Sequence, residues 1–213
     1  MTQQLITLTD PRSSVAEAYR SLYINLSFSS QEQPLHKLLA TSAGSGEGKS
    51  LTLANLAVVA AQMGQRVVLM DCDLRQPQQH ELFGLRNDGG LTSVVAGKQT
   101  VAAALQVSSE TPGLQILTSG PLPVSPSQVL AARRLDEIMA ELAEQADLVL
   151  VDAPPAAAVA DASVLATKVD GVILVLNAGQ TKRDSARRAK EALEKVNAHI
   201  VGVVLNNVAD GAT

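Results

Sequence analysis

A glycine-rich run, TSAGSGEGKS at residues 41–50, separates an apolar segment from a helical pattern. Its glycines let the backbone curl so that successive N–H groups face inward, and the start of the next helix adds positive partial charge. A chain of phosphates fits such a loop, with Lys49 reaching the terminal phosphates and the Ser50 hydroxyl as a ligand of Mg²⁺. The run follows the pattern G-x-x-x-x-G-K-[ST] except at Ala43, where the first glycine would stand. We therefore predict a phosphate-binding loop.

Two other interpretations of this run are open. One is a glycine-rich turn that only caps a helix. The other is dinucleotide binding, because G-x-G is present and Asp71 ends the next apolar segment, where an acid would hold a ribose. Counted from Gly44, however, the last position of G-x-G-x-x-G is Lys49, and close helix–strand packing requires glycine there. The sequence favours the phosphate loop over both alternatives.

Three acids follow apolar segments elsewhere in the chain. In VVLMDCDLRQP, Asp71 and Asp73 follow one segment, and in DLVLVDAPP, Asp152 closes another. Carboxylates beside a phosphate loop suit the binding of Mg²⁺ and the activation of an attacking hydroxyl. A single acid at the end of a strand can also cap a helix or a turn. Two acids followed by Arg75 and Pro77 favour the functional interpretation.

The elements that must position these residues are predicted from the hydrophobic pattern. Short apolar runs alternate with helical patterns, which indicates right-handed crossovers and an open, mostly parallel α/β sheet with helices on both faces. The predicted strands are 36–41, 66–71, 114–118, 147–152, 171–176 and 199–205. The predicted helices are 13–27, 49–63, 91–106, 127–145 and 181–197. Ligands of such sheets bind at the carboxyl ends of the strands, where the glycine-rich run, the three acids and Asn206 gather.

Composition and charge limit the kinds of protein that this chain can be. With 213 residues, of which 46% are hydrophobic, the chain suits one domain with a packed core, spanning 1–213. The net charge of −4 argues against nucleic acid as a partner, since proteins that follow phosphates usually carry a basic excess. A single Cys excludes an internal disulfide and a cysteine-rich metal site. No apolar stretch reaches the ~18 residues of a membrane span and no secretion signal is present, so we expect a cytoplasmic protein.

The order of these motifs resembles one protein family. TSAGSGEGKS, VVLMDCDLRQP and LVLVDAPP, followed by VADASVLATKVDGVILVLNAGQT and GVVLNNV, are similar to the bacterial tyrosine kinases of capsule and exopolysaccharide synthesis. The resemblance runs from about DPRSSVAEAYRSL to GVVLNNV, nearly the whole chain. It implies a three-layer P-loop fold that uses ATP and Mg²⁺ to phosphorylate tyrosines of a protein substrate, usually its own C-terminal tail. It also implies activation by a membrane-anchored polysaccharide co-polymerase or adaptor, which would keep the domain at the inner face of the membrane.

The resemblance implies roles for individual residues as well. The nucleotide-binding residues would be Gly44, Ser45, Gly46, Glu47, Gly48, Lys49, Ser50, Leu51 and Asn206. The metal-binding residues would be Ser50, Asp73 and Asp152, with the two acids acting through water. The catalytic residues would be Lys49, Asp71 and Asp73, of which Asp71 would orient or deprotonate the acceptor hydroxyl. Asn206 would recognise the base, although an Asn at that position could equally cap a turn.

Two positions separate this chain from related patterns. Partition and division-site ATPases place a second lysine early in the loop, in K-G-G-x-G-K-[ST], to reach across a dimer. Here that position is Gly44, which favours the kinase branch.

The kinases carry an E-x-x-R-x-x-R element for ring assembly, which Glu17 and Arg20 match, whereas Tyr23 replaces the second Arg. Self-association is therefore open, and the spacing of three also suits a solvated ion pair within one helix.

The tyrosine cluster that usually ends these kinases has no counterpart in the final residues, NNVADGAT. The tyrosines of this chain are Tyr19 and Tyr23. Three hypotheses follow. The tail was removed from a longer protein, or the chain is a kinase for another tyrosine-containing protein, or it is a regulator or partition-type switch that binds and hydrolyses ATP without phosphorylating tyrosine. If it is a kinase, we expect little autophosphorylation of this chain, because both tyrosines fall within the predicted N-terminal helix.

Overall fold

The strands of the computed structural model, which describes residues 5–29 and 35–208, form one seven-stranded sheet. The strands are β1 (Lys37–Ser42), β2 (Val67–Asp71), β3 (Gln106–Val107), β4 (Leu114–Leu117), β5 (Leu148–Asp152), β6 (Gly171–Asn177) and β7 (Ile200–Asn206). Across the sheet the order is β3-β4-β2-β5-β1-β6-β7. Neighbouring strands are parallel except for β3, which is antiparallel to β4. The predicted open, mostly parallel sheet is confirmed.

Helices cover both faces of this sheet. They are α1 (Ile6–Thr9), α2 (Ser14–Ser29), α3 (Lys49–Gln62), α4 (Gln79–Leu82), α5 (Leu91–Val95), α6 (Val101–Ala104), α7 (Pro126–Leu130), α8 (Arg133–Gln145), α9 (Asp161–Ala166) and α10 (Arg183–Glu194). Apolar residues of α2 and α3 pack on one face, and those of α5 to α10 pack on the other. Since both faces are covered, the central strands are continuous apolar runs, and every residue of β2 is buried. The three-layer arrangement is confirmed.

The helix predicted over 91–106 is wrong as a single helix. The segment forms α5 and α6, separated by a turn in which Gly97 has a φ of +70°. A left-handed residue ends a helix, and Thr100 begins the next one by accepting a hydrogen bond from the N–H of Ala103 at 3.2 Å. Strand β3 follows directly and was not predicted, because two residues carry no periodic signal.

The helix predicted over 127–145 also divides, into α7 and α8, because Ala132 has extended backbone angles. Helices α1, α4 and α9 were not predicted, since they contain only four to six residues. The remaining predicted helices, now α2, α3 and α10, are confirmed with slightly shifted ends. The intrahelical ion pair considered for α2 is present, with Arg20 Nη1 lying 2.7 Å from Glu17 Oε2.

The register of the central strands places the predicted acids side by side. Asp71 and Asp152 are direct Cα partners at the ends of β2 and β5. Strand β1 pairs with the other edge of β5 and leads through the glycine-rich run into α3. Because parallel strands end at the same edge of a sheet, this edge collects the loop after β1 and the acids after β2 and β5.

Candidate active site

The glycine-rich loop, residues 43–48, depends on glycine at two positions. Gly46 and Gly48 have φ angles of +77° and +85°, in the left-handed region that residues with a side chain seldom adopt. A Cβ atom on Gly48 would lie only 2.1 Å from Nδ2 of Asn206. Glycine at position 48 therefore permits both the turn into α3 and the close approach of the end of β7.

The side chain of Glu47 braces this loop. Its Oε2 accepts a hydrogen bond from the N–H of Ala43 at 2.8 Å, and its Oε1 accepts one from the Thr181 hydroxyl at 2.6 Å. Its backbone carbonyl accepts a hydrogen bond from Nδ2 of Asn206 at 3.1 Å. Ala43 is buried in the core, so its methyl group is accommodated where the usual pattern has glycine. Glu47 thus anchors the loop to the segment after β6 and to the end of β7.

The ammonium group of Lys49 lies at the centre of a charged cluster. Its Nζ is 2.7 Å from Asp73 Oδ2, 3.3 Å from Asp152 Oδ1 and 3.0 Å from the Ser50 hydroxyl. Burial acts to lower the pKa of Lys49, but the charges of Asp152, Asp73 and Asp71 outweigh it, and the pKa is raised. The ammonium therefore stays charged, and the structure unites the lysine with the predicted metal-binding residues.

Asp71, like Asp152, is fully buried. Its oxygens accept hydrogen bonds from the backbone N–H groups of Asp73 at 3.2 Å, Gln78 at 3.1 Å and Gln79 at 3.0 Å. Burial and the charge of Asp152 hold the pKa of Asp71 well above its usual range, although the N–H of Gln79 and the charge of Lys49 act in the opposite direction. In this conformation Asp71 organises the segment that follows it.

That segment, residues 71–78, is called the acidic loop below, and it closes over the glycine-rich loop. Asp73 Oδ1 accepts hydrogen bonds from the N–H groups of Arg75 and Gln76, at 3.3 and 3.0 Å. The Ser45 hydroxyl donates to Oε1 of Gln76 at 3.0 Å, which joins the two loops. The space between them is about 50 Å³, against about 300–1,000 Å³ for ordinary ligand pockets. In this structure the acidic loop therefore leaves little space beside the glycine-rich loop.

Two sets of contacts at this edge were not predicted. Arg75 Nε lies 2.7 Å from Oδ2 of the buried Asp161 in α9, and the Ser127 hydroxyl donates to Asp161 Oδ1 at 2.6 Å. Gln79, at the start of α4, donates through Nε2 to Asp152 Oδ2 at 2.8 Å. An acid within the apolar stretch VADASVL was the available signal for Asp161. No sequence motif indicated a role for Gln79, because its partners are distant in sequence.

The oxygen atoms around Lys49 are suitable ligands for a magnesium ion bound together with phosphates. They are one hydroxyl and two carboxylates, the oxygen ligands that Mg²⁺ prefers. Among residues 5–29 and 35–208 no group of three or more His, Cys, Asp and Glu side chains forms a complete metal cage. Mg²⁺ usually takes one or two protein carboxylates and completes its shell with phosphate and water.

Comparisons with known proteins show the family of this chain. A family model described as ParA, NUBPL iron-transfer P-loop NTPase, matches residues 34–209. The chain is 42% identical over 206 residues to tyrosine-protein kinase YwqD of Bacillus subtilis, covering 97% of this chain and 86% of that protein. It is 35% identical to the putative tyrosine-protein kinase CapB of Staphylococcus aureus, covering 93% of this chain and 86% of CapB.

A solved structure of a bacterial tyrosine kinase has the same fold. The kinase domain of the Escherichia coli tyrosine kinase ETK superposes with a TM-score of 0.93 at 32% identity, covering 98% of this chain and 82% of that one. The chain belongs to the bacterial tyrosine-kinase family. Within the ParA-like P-loop NTPases it stands on the kinase branch, as the resemblance and Gly44 indicated. Nucleotide binding is a property of P-loop NTPases as a class.

Alanine substitutions at Gly48 and Gly44 are expected to destabilise the protein to different degrees. Gly48→Ala is expected to lower the free energy of unfolding by about 1–3 kcal/mol, because alanine is disfavoured at positive φ and its Cβ would collide with Asn206. Gly44→Ala is the matched control, since its Cβ would lie 3.5 Å from Glu47 Oε1, an ordinary contact. Its free energy of unfolding should change by less than about 1 kcal/mol. Urea unfolding of both variants is the measurement, and equal losses would contradict the assigned loop geometry.

Proposed function

We propose that this chain is a Mg-ATP-dependent protein-tyrosine kinase of capsule or exopolysaccharide synthesis, with residues 1–213 as one kinase domain. The observation that carries the proposal is the convergence of three motifs on one ammonium, with Lys49 Nζ within 3.3 Å of Ser50, Asp73 and Asp152. Membership of the tyrosine-kinase family supports the choice of tyrosine as acceptor.

In this proposal the glycine-rich loop and the first turn of α3 bind the phosphates. The contributing residues are Gly44, Ser45, Gly46, Glu47, Gly48, Lys49, Ser50 and Leu51. Lys49 leaves its carboxylates and offsets the charge of the terminal phosphates. Ser50, Asp73 and Asp152 hold Mg²⁺, which when bound neutralises charge that develops on the transferred phosphoryl group.

Asp71 is proposed as the group that orients the tyrosine hydroxyl and takes its proton. A carboxylate whose pKa is raised by burial is a stronger proton acceptor than an ordinary one. Its oxygens are now engaged by the N–H groups of Asp73, Gln78 and Gln79. In this proposal, access for a tyrosine therefore requires movement of the acidic loop.

Asn206 is proposed to recognise the adenine base. Its position supports this role, because its Nδ2 contacts the carbonyl of Glu47 at 3.1 Å, directly beside the glycine-rich loop. Its Oδ1 accepts a hydrogen bond from the N–H of Asn207 at 3.0 Å, so the side chain also stabilises the turn that follows β7. Base recognition could use the second N–H of Nδ2 and the second lone pair of Oδ1, which these two bonds do not occupy.

A second candidate function is an ATP-gated regulator that does not phosphorylate tyrosine. The observation in its favour is the position of Tyr19 on α2, packed against Thr52 of α3. Burial raises the pKa of the Tyr19 hydroxyl, and the nearby Thr52 partly offsets this. Radiolabelled ATP with a flexible tyrosine-rich peptide separates the two functions, because only the kinase would label the peptide.

The proposed partners are a tyrosine-containing protein substrate and a membrane-anchored polysaccharide co-polymerase or adaptor, with no role for nucleic acid. Within residues 5–29 and 35–208, no helix has the length and apolar character needed to cross a bilayer. The proposed location is therefore the cytoplasmic side of the membrane, reached through the adaptor. Self-association through α2 remains part of the proposal, although Arg20 is already paired with Glu17.

Lys49→Met tests the phosphate-binding assignment. Methionine keeps the volume of the lysine stem and removes the charge, so ATP turnover and phosphoryl transfer should fall at least about 100-fold. Lys98→Met is the matched control at an exposed position outside the site and should retain wild-type turnover. Phosphate release is the measurement, with circular dichroism to verify folding. Wild-type turnover by Lys49→Met would overturn the assignment.

Asp71→Asn and Asp152→Asn test the division of labour between the acids. Asp71→Asn should lower the rate of peptide phosphorylation more than the affinity for nucleotide, because its proposed contact is with the acceptor hydroxyl. Asp152→Asn should weaken the binding of Mg-ADP itself, since its contact is with the ion. Calorimetry and single-turnover labelling measure the two effects. Equal losses of affinity would make Asp71 a metal-site residue rather than a base.

The described tyrosines predict slow autophosphorylation of this chain. Tyr19 and Tyr23 lie within α2, and a helical side chain cannot enter the site as an extended segment can. With saturating Mg-ATP we expect little phosphate on either residue, slow labelling of a flexible tyrosine peptide, and faster labelling with the adaptor's cytoplasmic segment. Phosphopeptide mass spectrometry is the measurement. Stoichiometric phosphate on Tyr19 or Tyr23 would show instead that α2 is a substrate.

A further inference from the structure

Gln79 is the residue of this site that joins its separate motifs. Its side chain is fully buried at the start of α4. Through Nε2 it donates to Asp152 Oδ2 at 2.8 Å and to the backbone carbonyl of Ser50 at 3.1 Å. Its backbone N–H donates to Asp71 Oδ2 at 3.0 Å. Gln79, the residue directly after the acidic loop, therefore contacts α3 and the acids at the ends of β2 and β5.

The orientation of this amide follows from its neighbours. Both groups facing Nε2, the Asp152 carboxylate and the Ser50 carbonyl, can only accept hydrogen bonds. The NH₂ group must therefore face them, and Oε1 points away from Asp152 on the same planar amide. Oε1 is buried and accepts no hydrogen bond from the described residues. A buried acceptor without a partner is costly, so the two contacts of the NH₂ group must offset that cost.

We propose that Gln79 is a positioning residue for magnesium binding. Its NH₂ group fixes the rotamer of Asp152 so that the other oxygen, Oδ1, faces the cluster around Lys49. Groups that orient the ligands of a metal commonly change metal affinity 10–100-fold when they are removed. The inference rests on the proposed nucleotide site and adds to it a residue that none of the motifs contains.

The alternative for Gln79 is a purely structural role in holding α4 against α3. A structural role predicts that its loss weakens the fold and lowers affinity for every ligand equally. The positioning role predicts a selective loss, because only the magnesium-dependent part of nucleotide affinity passes through Asp152. The ratio of the ADP dissociation constants without and with Mg²⁺ distinguishes the two.

Gln79→Met tests the proposal by calorimetric titration of the full chain with ADP, in Mg²⁺ and in EDTA. Methionine keeps the length of the side chain and the backbone N–H bond to Asp71, and removes the amide. The affinity gained from Mg²⁺ should fall at least about 10-fold, while the affinity in EDTA should change less than about twofold. Gln145→Met is the matched control, since Gln145 is exposed at the end of α8, where the chain enters β5 at the opposite edge of the sheet. It should retain the wild-type ratio.

A wild-type ratio in Gln79→Met would overturn the inference and leave the proposed function intact, whereas failure of the wild-type chain to bind ADP would overturn the nucleotide site itself. If Gln79→Met does not fold, the wild-type protein supplies the test through the NMR signals of its side-chain amides. The Gln79 NH₂ signals should shift when Mg²⁺ is added to the ADP-bound protein, and those of Gln145 should not. Unchanged Gln79 signals would overturn the inference.

Discussion

The site depends on the burial of one ammonium group among carboxylates. Lys49 contacts Asp73 and Asp152 directly, and the charge of Asp71 adds to theirs. Removing such ions from water costs several kcal/mol each, which only close pairing and additional hydrogen bonds can offset. Burial, together with the charge of Asp152, raises the pKa of Asp71. Since three acids face one lysine, the cluster is suited to additional positive charge such as that of a divalent cation.

The hydrogen bonds around the cluster explain why its parts are held so closely. Backbone N–H groups of the acidic loop satisfy Asp71 and Asp73, while Glu47 holds the glycine-rich loop against Thr181 and Asn206. The proposed displacement of Lys49 by a nucleotide would remove the partner of Asp73 and Asp152, so nucleotide binding and the position of the acidic loop would depend on shared contacts. Arg75 also joins the acidic loop to α9 through Asp161.

Much of the fold was predictable because it follows from local patterns. Six strands were long enough to show as apolar runs, and their alternation with helices fixed a parallel sheet whose ligand edge is the carboxyl one. The failures were local as well. Gly97 divides the helix predicted over 91–106, Ala132 divides the next, and the two residues of β3 are too few for any periodic signal. An element is predictable where many residues share one hydrophobic pattern, and its end is not predictable where the backbone angles of a single residue interrupt the helix.

The sequence by itself determined which chemistry this protein carries. A glycine-rich loop ending in Lys49 and Ser50, with acids after two apolar strands, indicates a P-loop nucleotide-binding protein, as its family membership shows, and predicts magnesium binding because few other uses require those residue types in that order. The tertiary structure alone decided how the parts meet. Asp71 and Asp152 are adjacent because of the register of β2 and β5, and Asn206 restricts position 48 because β7 ends there. Gln79 and Asp161 join the site through partners that lie 73 and 86 positions away. Contacts between such distant positions arise only when the sheet has formed, so no local pattern in the chain records them.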